Sequence, residues 1–396
     1  MPSLHAAAAA PASRAQDDES LPGWIYHDPE FFAAERDAVF RRAWQLVCHV
    51  SDVPHPGDFH TLDFLGESVL AVRGDDGQLR CFHNVCRHRG ARLLDGARGH
   101  CGRRIACPYH RWTYALDGAL VGVPRLNDYP GLEMRDHGLV PLEQETFMGF
   151  VFVRLAPGLP SVHEMLAPCA EELAAYRLED MVPQGRVTLR PRPVNWKNVA
   201  DNYSDALHIT VAHPGLTRLF GRGYGLEAQP WVDRMWGALV DTPSDNWSER
   251  RYQALLPEVS HLPAALRRRW TYFKLWPNTA FDLYPDQVDF MQFIPVSPTE
   301  TLIREIAYVL PDGRREMRAA RYLNWRINRQ VNLEDKALIE RVQSGMASSS
   351  YATGPLGGGE VCLRSFARRL RVLIPEAGLP RAPAPGWYAN RAGAET

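Results

Sequence analysis

Two pairs of residues that can bind metal stand out between residues 86 and 112. The first pair is Cys86 and His88, and the second pair is Cys107 and His110. Each pair brings one thiolate and one imidazole onto a short stretch of chain, where both can reach the same metal centre. The long interval between the pairs lets a second loop approach from the other side. The pattern therefore predicts a metal site clamped between two loops.

The ligand types leave two kinds of site open. Two thiolates and two imidazoles fit a structural zinc site. They also fit a Rieske [2Fe–2S] cluster, in which two cysteines hold one iron and two histidines hold the other. Zinc fingers usually keep the cysteines together and the histidines together, whereas each pair is mixed here, which favours the two-iron cluster. The alternative without metal is four ordinary residues with both histidines on the surface. The other cysteines are predicted to be a free thiol, Cys101, and small buried residues, namely Cys48, Cys81, Cys169 and Cys362.

A second group of candidate ligands follows in the sequence DNYSDALHITVAHPG. His208 and His213 are candidates, and Asp205 precedes His208 by three residues. On a helix, Asp205 and His208 would share a face, whereas His213 would lie roughly 140° around from His208. We therefore expect the helix to bend or end between the two histidines, where Pro214 provides a natural terminus.

A carboxylate from elsewhere would complete a set of two histidines and one acid, which leaves positions open on ferrous iron for dioxygen and substrate. Asp335 is the candidate because apolar residues at −4, +3, +4 and +7 from it mark the inward face of a helix. These residues are Val331, Leu338, Ile339 and Val342. A bare carboxylate on that face is costly unless it is paired or bound to metal. Glu334 is the weaker candidate, and an arginine partner for Asp335 is the alternative.

The composition excludes several classes of protein. A chain of 396 residues with 45% hydrophobic and 23% charged residues is typical of a soluble protein with two domains. A formal net charge of −1 argues against a general nucleic-acid binder, which needs a basic surface. No segment approaches the ~18 uninterrupted apolar residues of a membrane span. The seven cysteines are an odd number in a large chain, so a disulfide framework is not expected and a cytoplasmic, reduced protein is.

The sequence patterns around these residues predict the strands and helices of an α+β protein. Short β-rich runs separated by turn signals, from Gly57 to about Val153, predict a small antiparallel β unit with the Cys/His pairs on its loops. A mixed region follows, with a helix at 195–213, consecutive strands at 280–310 and a long helix at 315–348. We therefore predict a small all-β domain inserted in a larger catalytic domain, whose antiparallel sheet and helices form a helix-grip-like arrangement. The predicted boundaries are a disordered tail at 1–20, the β domain at 45–155, and the catalytic domain at 21–44 and 156–396.

The segments CRHRGA and CPYHRW closely resemble the cluster-binding loops of Rieske proteins. From Leu21 to about Ser350, the chain resembles the α subunits of Rieske non-haem iron oxygenases. The resemblance implies a [2Fe–2S] cluster and a mononuclear Fe(II). The implied cluster ligands are Cys86, His88, Cys107 and His110, and the implied iron ligands are His208, His213 and Asp335. It also implies a homotrimer, in which Asp205 links His110 of one subunit to His208 of its neighbour.

The resemblance also implies an oxidoreductase that uses O2 and takes electrons from NAD(P)H. A separate flavin or iron–sulfur reductase would deliver them, because the glycine-rich stretch GPLGGGE follows no strand and opens no clear helix. The helix EDKALIERVQSG and the following YATGPL resemble the branch that acts on quaternary ammonium compounds. That branch includes choline monooxygenase and the demethylases of glycine betaine and proline betaine (stachydrine). It implies hydroxylation of an N-methyl group of proline betaine or a similar betaine, with release of formaldehyde.

Two other functions stay open. Ring hydroxylation or O-demethylation of an aromatic acid is one, and a Rieske electron carrier without oxygenase chemistry is the other. Aromatic side chains would suit a methylated cation or an aromatic acid equally well. We expect two or three of ten aromatic residues to line a pocket, namely Tyr224, Trp231, Trp236, Trp247, Tyr272, Trp276, Phe281, Tyr284, Phe290 and Phe293.

Overall fold

The computed structural model describes residues 18–394. Within them the chain forms two units. The first consists of Arg42–Pro157 and Leu178–Pro183, and the rest of the described chain belongs to the second. The predicted β domain, 45–155, falls within the first unit.

The predicted tail at 1–20 lies outside the described residues up to residue 17. Residues 18–20 are described, and their backbone is paired with a segment near residue 355. Ser20 N donates to the Gly354 carbonyl at 2.8 Å, and Leu356 N donates to the Asp18 carbonyl at 2.8 Å. The backbone of residues 18–20 is therefore held against this segment.

The first unit is built from short antiparallel strands, as the alternating sequence predicted. The turn between β2 and β3 has positive φ at both Leu65 (54°) and Gly66 (80°), the geometry that matches the twist of a hairpin. The strands form three sheets with the orders β1-β10-β9, β4-β3-β2-β5 and β6-β7-β8. Their bounds are β1 Gln45–His49, β2 Asp58–Phe64, β3 Glu67–Arg73, β4 Leu79–His83, β5 Arg98–His100, β6 Ile105–Ala106, β7 Thr113–Tyr114, β8 Leu120–Gly122, β9 Glu143–Phe147 and β10 Phe150–Arg154.

The second unit contains a seven-stranded sheet of order β11-β17-β16-β15-β14-β13-β12. From β12 to β17, each strand pairs antiparallel with the next. In this register, Tyr272, Asp282, Asp289 and Ala307 stand directly opposite one another across four strands. Directly opposite residues point to the same face of a sheet, so these four side chains share one face. The bounds are β11 Val182–Arg192, β12 Tyr224–Ala228, β13 Val232–Ala238, β14 Arg269–Leu275, β15 Thr279–Leu283, β16 Gln287–Ser297 and β17 Glu300–Val309.

The helices of the second unit include one of 32 residues, Arg315–Met346, close to the predicted 315–348. Asp28 caps the first helix, since its carboxylate accepts from Phe31 N at 2.7 Å. None of the helices within residues 18–394 combines the length and apolar character needed to cross a membrane. The bounds are α1 Pro29–Glu35, α2 Val162–Leu166, α3 Ala170–Ala175, α4 Trp196–Ser204, α5 Ile209–Ala212, α6 Pro214–Phe220, α7 Trp247–Leu255, α8 Arg315–Met346, α9 Val361–Leu373 and α10 Trp387–Ala394.

The helix predicted at 195–213, which was expected to bend or end between the two histidines, is interrupted earlier, at Asp205. α4 ends at Ser204, and Asp205 is extended with φ −84° and ψ 126°. The carboxylate of Asp205 accepts from Leu207 N at 2.8 Å and from His208 N at 3.3 Å. A short polar side chain that hydrogen bonds to nearby backbone competes with helix formation in this way. The helix therefore restarts after His208, and Pro214 begins a new helix, α6, in place of the expected stop.

The apolar core of the second unit joins the sheet to the long helix. Trp270 of β14 and Phe220 of α6 pack with Leu323 and Ile327 of α8 in one buried cluster. These contacts fix the helix that carries Asp335. The predicted fold class, α+β with a small β domain and a larger mixed domain of antiparallel sheet and helices, is confirmed.

Candidate metal centres and substrate cavity

The loop that carries Cys86 and His88 is closed by two backbone hydrogen bonds. Cys86 N donates to the Ala91 carbonyl at 2.8 Å, and Gly90 N donates to the Cys86 carbonyl at 3.0 Å. Gly90 has a φ of +72°, a conformation that glycine adopts without steric cost. The loop thus turns back on itself and holds its cysteine and histidine at one tip.

The loop that carries Cys107 and His110 repeats this arrangement. Cys107 N donates to the Trp112 carbonyl at 2.8 Å, and Arg111 N donates to the Cys107 carbonyl at 3.1 Å. Arg111 occupies the position equivalent to Gly90 and also has a positive φ, +58°. The antiparallel pair β6 and β7 flanks the loop. The two loops therefore have the same backbone geometry, as expected for a metal centre that takes an equivalent pair of ligands from each loop.

The four side chains of these loops fit a two-iron cluster. Cys86 and Cys107 are buried, with 2% and 1% exposure. The rings of His88 and His110 lie 4.7 Å apart, and the Nδ1 atom of each is buried without a hydrogen-bond partner. An unpartnered buried nitrogen is costly, and coordination to metal would satisfy both.

Neighbouring aromatic residues hold this group in place. Trp112 stacks on His88 with a centroid separation of 4.8 Å, and Tyr109 packs on His110 at 3.7 Å. The hydroxyl of Tyr114 lies 3.4 Å from Cys86 Sγ and accepts a hydrogen bond from Arg87 N. Cys101 points elsewhere, since its thiol donates to the Gly57 carbonyl at 3.3 Å, in agreement with its prediction as a free thiol.

The second group of predicted ligands converges in the second unit. His208 Nε2 lies 3.1 Å from His213 Nε2, and Asp335 Oδ1 lies 2.9 Å from His213 Nε2 and 3.6 Å from His208 Nε2. Among the described residues, these three form the one group of His, Cys, Asp or Glu side chains whose ligand atoms meet in this way. Adjacent ligands on an octahedral ion with bonds of about 2.1 Å would be about 3 Å apart. The donor set therefore fits a single metal ion.

Each of the two imidazoles is oriented by a carboxylate on its other nitrogen. His208 Nδ1 lies 3.0 Å from Asp205 Oδ2, and His213 Nδ1 lies 2.8 Å from Glu334 Oε2. Such carboxylate–histidine pairs fix the ring tautomer and aim the free Nε2 at a metal. The sequence identified Asp205 in this role for His208 but treated Glu334 only as a weaker ligand candidate.

The charges of the site attract a cation. Burial by itself lowers the pKa of His208, but its hydrogen bonds with Asp205 and Asp335 outweigh burial and raise the pKa to about 9. Burial raises the pKa of Asp335, yet the two imidazoles outweigh that effect and lower it to about 2.

Asn202 also contacts the centre, with its Nδ2 3.2 Å from Asp335 Oδ1 and 3.3 Å from His208 Nε2. No sequence signal marked Asn202.

Asp335 faces inward as predicted, although the apolar stripe around it is incomplete. Ile339 is buried, whereas Val342 is 45% exposed. The face of α8 that carries Asp335 borders a cavity and is mostly polar, so it lacks a continuous apolar stripe. At helical spacing it presents Arg318, Tyr322, Trp325, Asn328, Asn332 and Asp335 to a single cavity.

The cavity that reaches the triad has a volume of about 550 Å³, within the usual range for small-molecule sites. Tyrosines and acids from the sheet face make up much of its wall. Four of the ten candidate aromatic residues line it, more than the two or three expected, namely Tyr224, Tyr272, Tyr284 and Phe290. The acids are Asp282, Asp289 and Glu305.

Comparison with known proteins finds a match for the region of the cluster-binding loops and another for the region that contains the triad. A family model described as ring hydroxylating alpha subunit (catalytic domain) matches residues 178–376. A Rieske [2Fe-2S] domain model matches residues 43–136. The chain belongs to the Rieske non-haem iron oxygenase α subunits. Its cofactors are accordingly a Rieske [2Fe–2S] cluster and a mononuclear iron.

Relatives in this family have names that refer to quaternary ammonium compounds. The carnitine monooxygenase oxygenase subunit of Escherichia coli (strain K12) is 32% identical over 350 residues, which cover 85% of this chain and 86% of that protein. The glycine betaine monooxygenase oxygenase subunit of Chromohalobacter salexigens is 27% identical, with 86% and 82% covered. The crystal structure of the quaternary ammonium Rieske monooxygenase CntA with L-carnitine superimposes with a TM-score of 0.74 at 27% identity, covering 91% of this chain and 96% of that one. The resemblance to the quaternary-ammonium branch is thus confirmed.

Proposed function

We propose that this α subunit is a terminal oxygenase that hydroxylates an N-methyl group of a quaternary ammonium compound, with proline betaine or a similar betaine as substrate. One observation carries the proposal: the triad of His208, His213 and Asp335 meets at the wall of a cavity whose lining combines tyrosines and carboxylates with arginines. Tyrosine rings beside carboxylates suit a methylated cation. Relatives named for carnitine and glycine betaine support the same class of substrate.

The assignment of ligands is part of the proposal. His208, His213 and Asp335 hold the mononuclear iron, which when bound supplies the activation of dioxygen. Asp205 and Glu334 keep the Nδ1 proton on each imidazole, and the amide of Asn202 donates to the ligand carboxylate. The cluster ligands are Cys86, His88, Cys107 and His110, with the two thiolates on one iron and the two imidazoles on the other.

Electrons reach the mononuclear site from a separate reductase that oxidises NAD(P)H. In the proposed homotrimer, Asp205 lies between His208 and the partner subunit's His110. Support comes from the position of Asp205, whose side chain is 22% exposed while it contacts His208 Nδ1. One carboxylate would then both orient an iron ligand and connect two subunits.

The proposed reaction balances with one dioxygen, two electrons and two protons. One oxygen atom enters the C–H bond of an N-methyl group and the other leaves as water. The N–CH2OH product then breaks its C–N bond, and the nitrogen keeps the electron pair. Formaldehyde, a tertiary amine and one proton are released.

The test supplies the reconstituted protein with a reductase, NADH and a panel of proline betaine, glycine betaine, carnitine and aromatic acids. Formaldehyde and trimethylamine are both measured, because oxidation of a chain carbon next to nitrogen in a trimethylammonium compound would release trimethylamine and a longer aldehyde. Formaldehyde in equal amount to the oxidised betaine supports the proposal. Trimethylamine without formaldehyde would refute attack at the methyl group. Dihydroxylated or phenolic products from aromatic acids, with silence on every betaine, would refute the substrate class.

One control variant separates the mononuclear site from the cluster, and a second controls for the loss of a negative charge. Asp335→Asn removes the carboxylate of the triad and should abolish product while the cluster spectrum remains. Asp241→Asn removes an acid from the exposed surface of the same unit and should leave turnover unchanged.

A further inference from the structure

Two carboxylates in the cavity wall stand side by side. Asp282 of β15 and Asp289 of β16 are directly opposite in the register of the sheet, and both line the cavity. Directly opposite residues have Cβ atoms about 5 Å apart, and like charges at such positions destabilise a sheet. An acid pair at this position therefore needs a compensating positive charge or a shared proton.

Four tyrosines surround this pair, and we refer to them together with Asp282 and Asp289 as the tyrosine box. Tyr203 OH donates to Asp282 Oδ1 at 2.5 Å, and Tyr284 OH lies 3.3 Å from Asp282 Oδ2. Tyr272 stands opposite Asp282 on β14, and its ring lies 6.3 Å from that of Tyr224. The box thus offers aromatic rings and negative charge in the same part of the cavity.

The tyrosine box adjoins the metal triad. Tyr203 follows Asn202 in α4, and the Asn202 amide contacts both His208 and Asp335. The box and the three ligand residues also line the same cavity. A substrate held in the box therefore occupies the cavity that the triad borders, as a reacting group must.

We propose that the tyrosine box is the subsite that recognises the positive nitrogen of the substrate, with Asp282 and Asp289 as the residues that select a cation over a neutral group of the same shape. This inference rests on the proposed function and names the part of the cavity that provides its specificity. The cation provides the positive charge that compensates the two adjacent acids. The tyrosine rings contact the methyl groups, which carry part of the positive charge.

Titration of the pair supports this arrangement. Burial raises the pKa of Asp282 to about 7, although hydrogen bonds from Tyr203 and Tyr284 oppose the shift. Burial, together with the charge of Asp282, raises the pKa of Asp289 well above its usual range, against a hydrogen bond from Gln287. The charged or titratable groups around Asp282 are Tyr203 from α4, Tyr224 from β12, Tyr272 from β14, Tyr284 after β15, Asp289 from β16 and Glu305 from β17. Glu305 is paired with Arg190 at 2.5 Å.

The test compares two ligands that differ only at the charged atom. Glycine betaine and 3,3-dimethylbutanoate share shape and carboxylate, but the first has a positive nitrogen where the second has carbon. Calorimetric binding to the anaerobic holoenzyme is measured for the wild type, Asp282→Asn, Asp289→Asn and the double variant. Asp241→Asn serves as the control, since it removes an equal charge outside the cavity.

We expect the wild type to prefer the cation, and the double variant to bind it roughly 10- to 100-fold more weakly. Binding of the 3,3-dimethylbutanoate anion, whose tert-butyl group carries no charge, should stay the same or improve, which also shows that the double variant is folded. An unchanged preference in the double variant overturns the inference while the proposed function stands. Binding of the cation without any product supports the box and refutes the reaction. Proline betaine and carnitine are measured in the same assay, and failure of all three betaines to bind the wild type overturns both the inference and the proposed function.

Discussion

Glu334 is expected to set the affinity of the mononuclear site although it does not contact the metal. Its Oε2 lies 2.8 Å from His213 Nδ1. A hydrogen bond to a charged group contributes about 1.5–3 kcal/mol, and each 1.36 kcal/mol corresponds to a factor of ten. Glu334→Ala should therefore weaken ferrous iron binding roughly 10- to 100-fold, the range typical of partners that orient a ligand. Glu334→Gln retains an acceptor without the charge and should lose about tenfold or less.

The assay titrates ferrous iron into protein stripped of its mononuclear iron, in competition with a coloured chelator. The absorption of the Rieske cluster confirms that each variant is folded. Glu340→Ala is the matched control, because Glu340 lies on the same helix and pairs with Lys336 at 3.9 Å. Wild-type iron affinity in Glu334→Ala would refute the role of this carboxylate. An equal loss in Glu340→Ala would show that the helix, and not the hydrogen bond, is responsible.

Three further results are expected. Asp335→Asn should reduce the iron content from three atoms per chain to two, as measured by metal analysis, because the neutral amide loses the charge that balances the ion. Tyr114→Phe should lower the reduction potential of the cluster, followed by redox titration, because the hydroxyl 3.4 Å from Cys86 Sγ can donate to the ligand sulfur and favour the reduced form. Affinity for glycine betaine should fall as the pH drops below about 7, with proton release on binding in calorimetry, because the raised pKa of Asp282 makes the proton a competitor of the cation. An affinity that is flat from about pH 8 to about pH 6 would contradict this last expectation.

The ligands that are close in sequence were the easiest to predict. Cys86 and His88, or Cys107 and His110, lie on single loops, so spacing alone indicates that they share a centre. Asp335 was found through helical periodicity, although the stripe that indicated it is interrupted by the exposed Val342. The structure brings Asp335 together with His208 and His213, because a lone acid among apolar neighbours remains costly even when the stripe is imperfect.

Other parts of the site depend on tertiary contacts that no local pattern contains. The break at Asp205 results from side-chain hydrogen bonds to Leu207 N and His208 N, and helix propensity does not include them. Glu334 acts on a histidine 121 residues away in sequence, so its role is visible only once the fold is known. The pairing of Asp282 with Asp289 depends on the register of β15 and β16. The sequences of the two strands do not show which residues stand opposite one another or which face of the sheet lines the cavity.

The long helix α8 carries both the acid of the triad and much of the cavity wall. Tyr322, Trp325 and Asn328 lie on the same face as Asp335, at distances of two to four turns along one rod. Substitutions there would change the shape of the chamber without disturbing the residues next to the ion. Substrate preference can therefore change through substitutions along this one helix, and directed evolution of this enzyme should begin at Tyr322, Trp325 and Asn328.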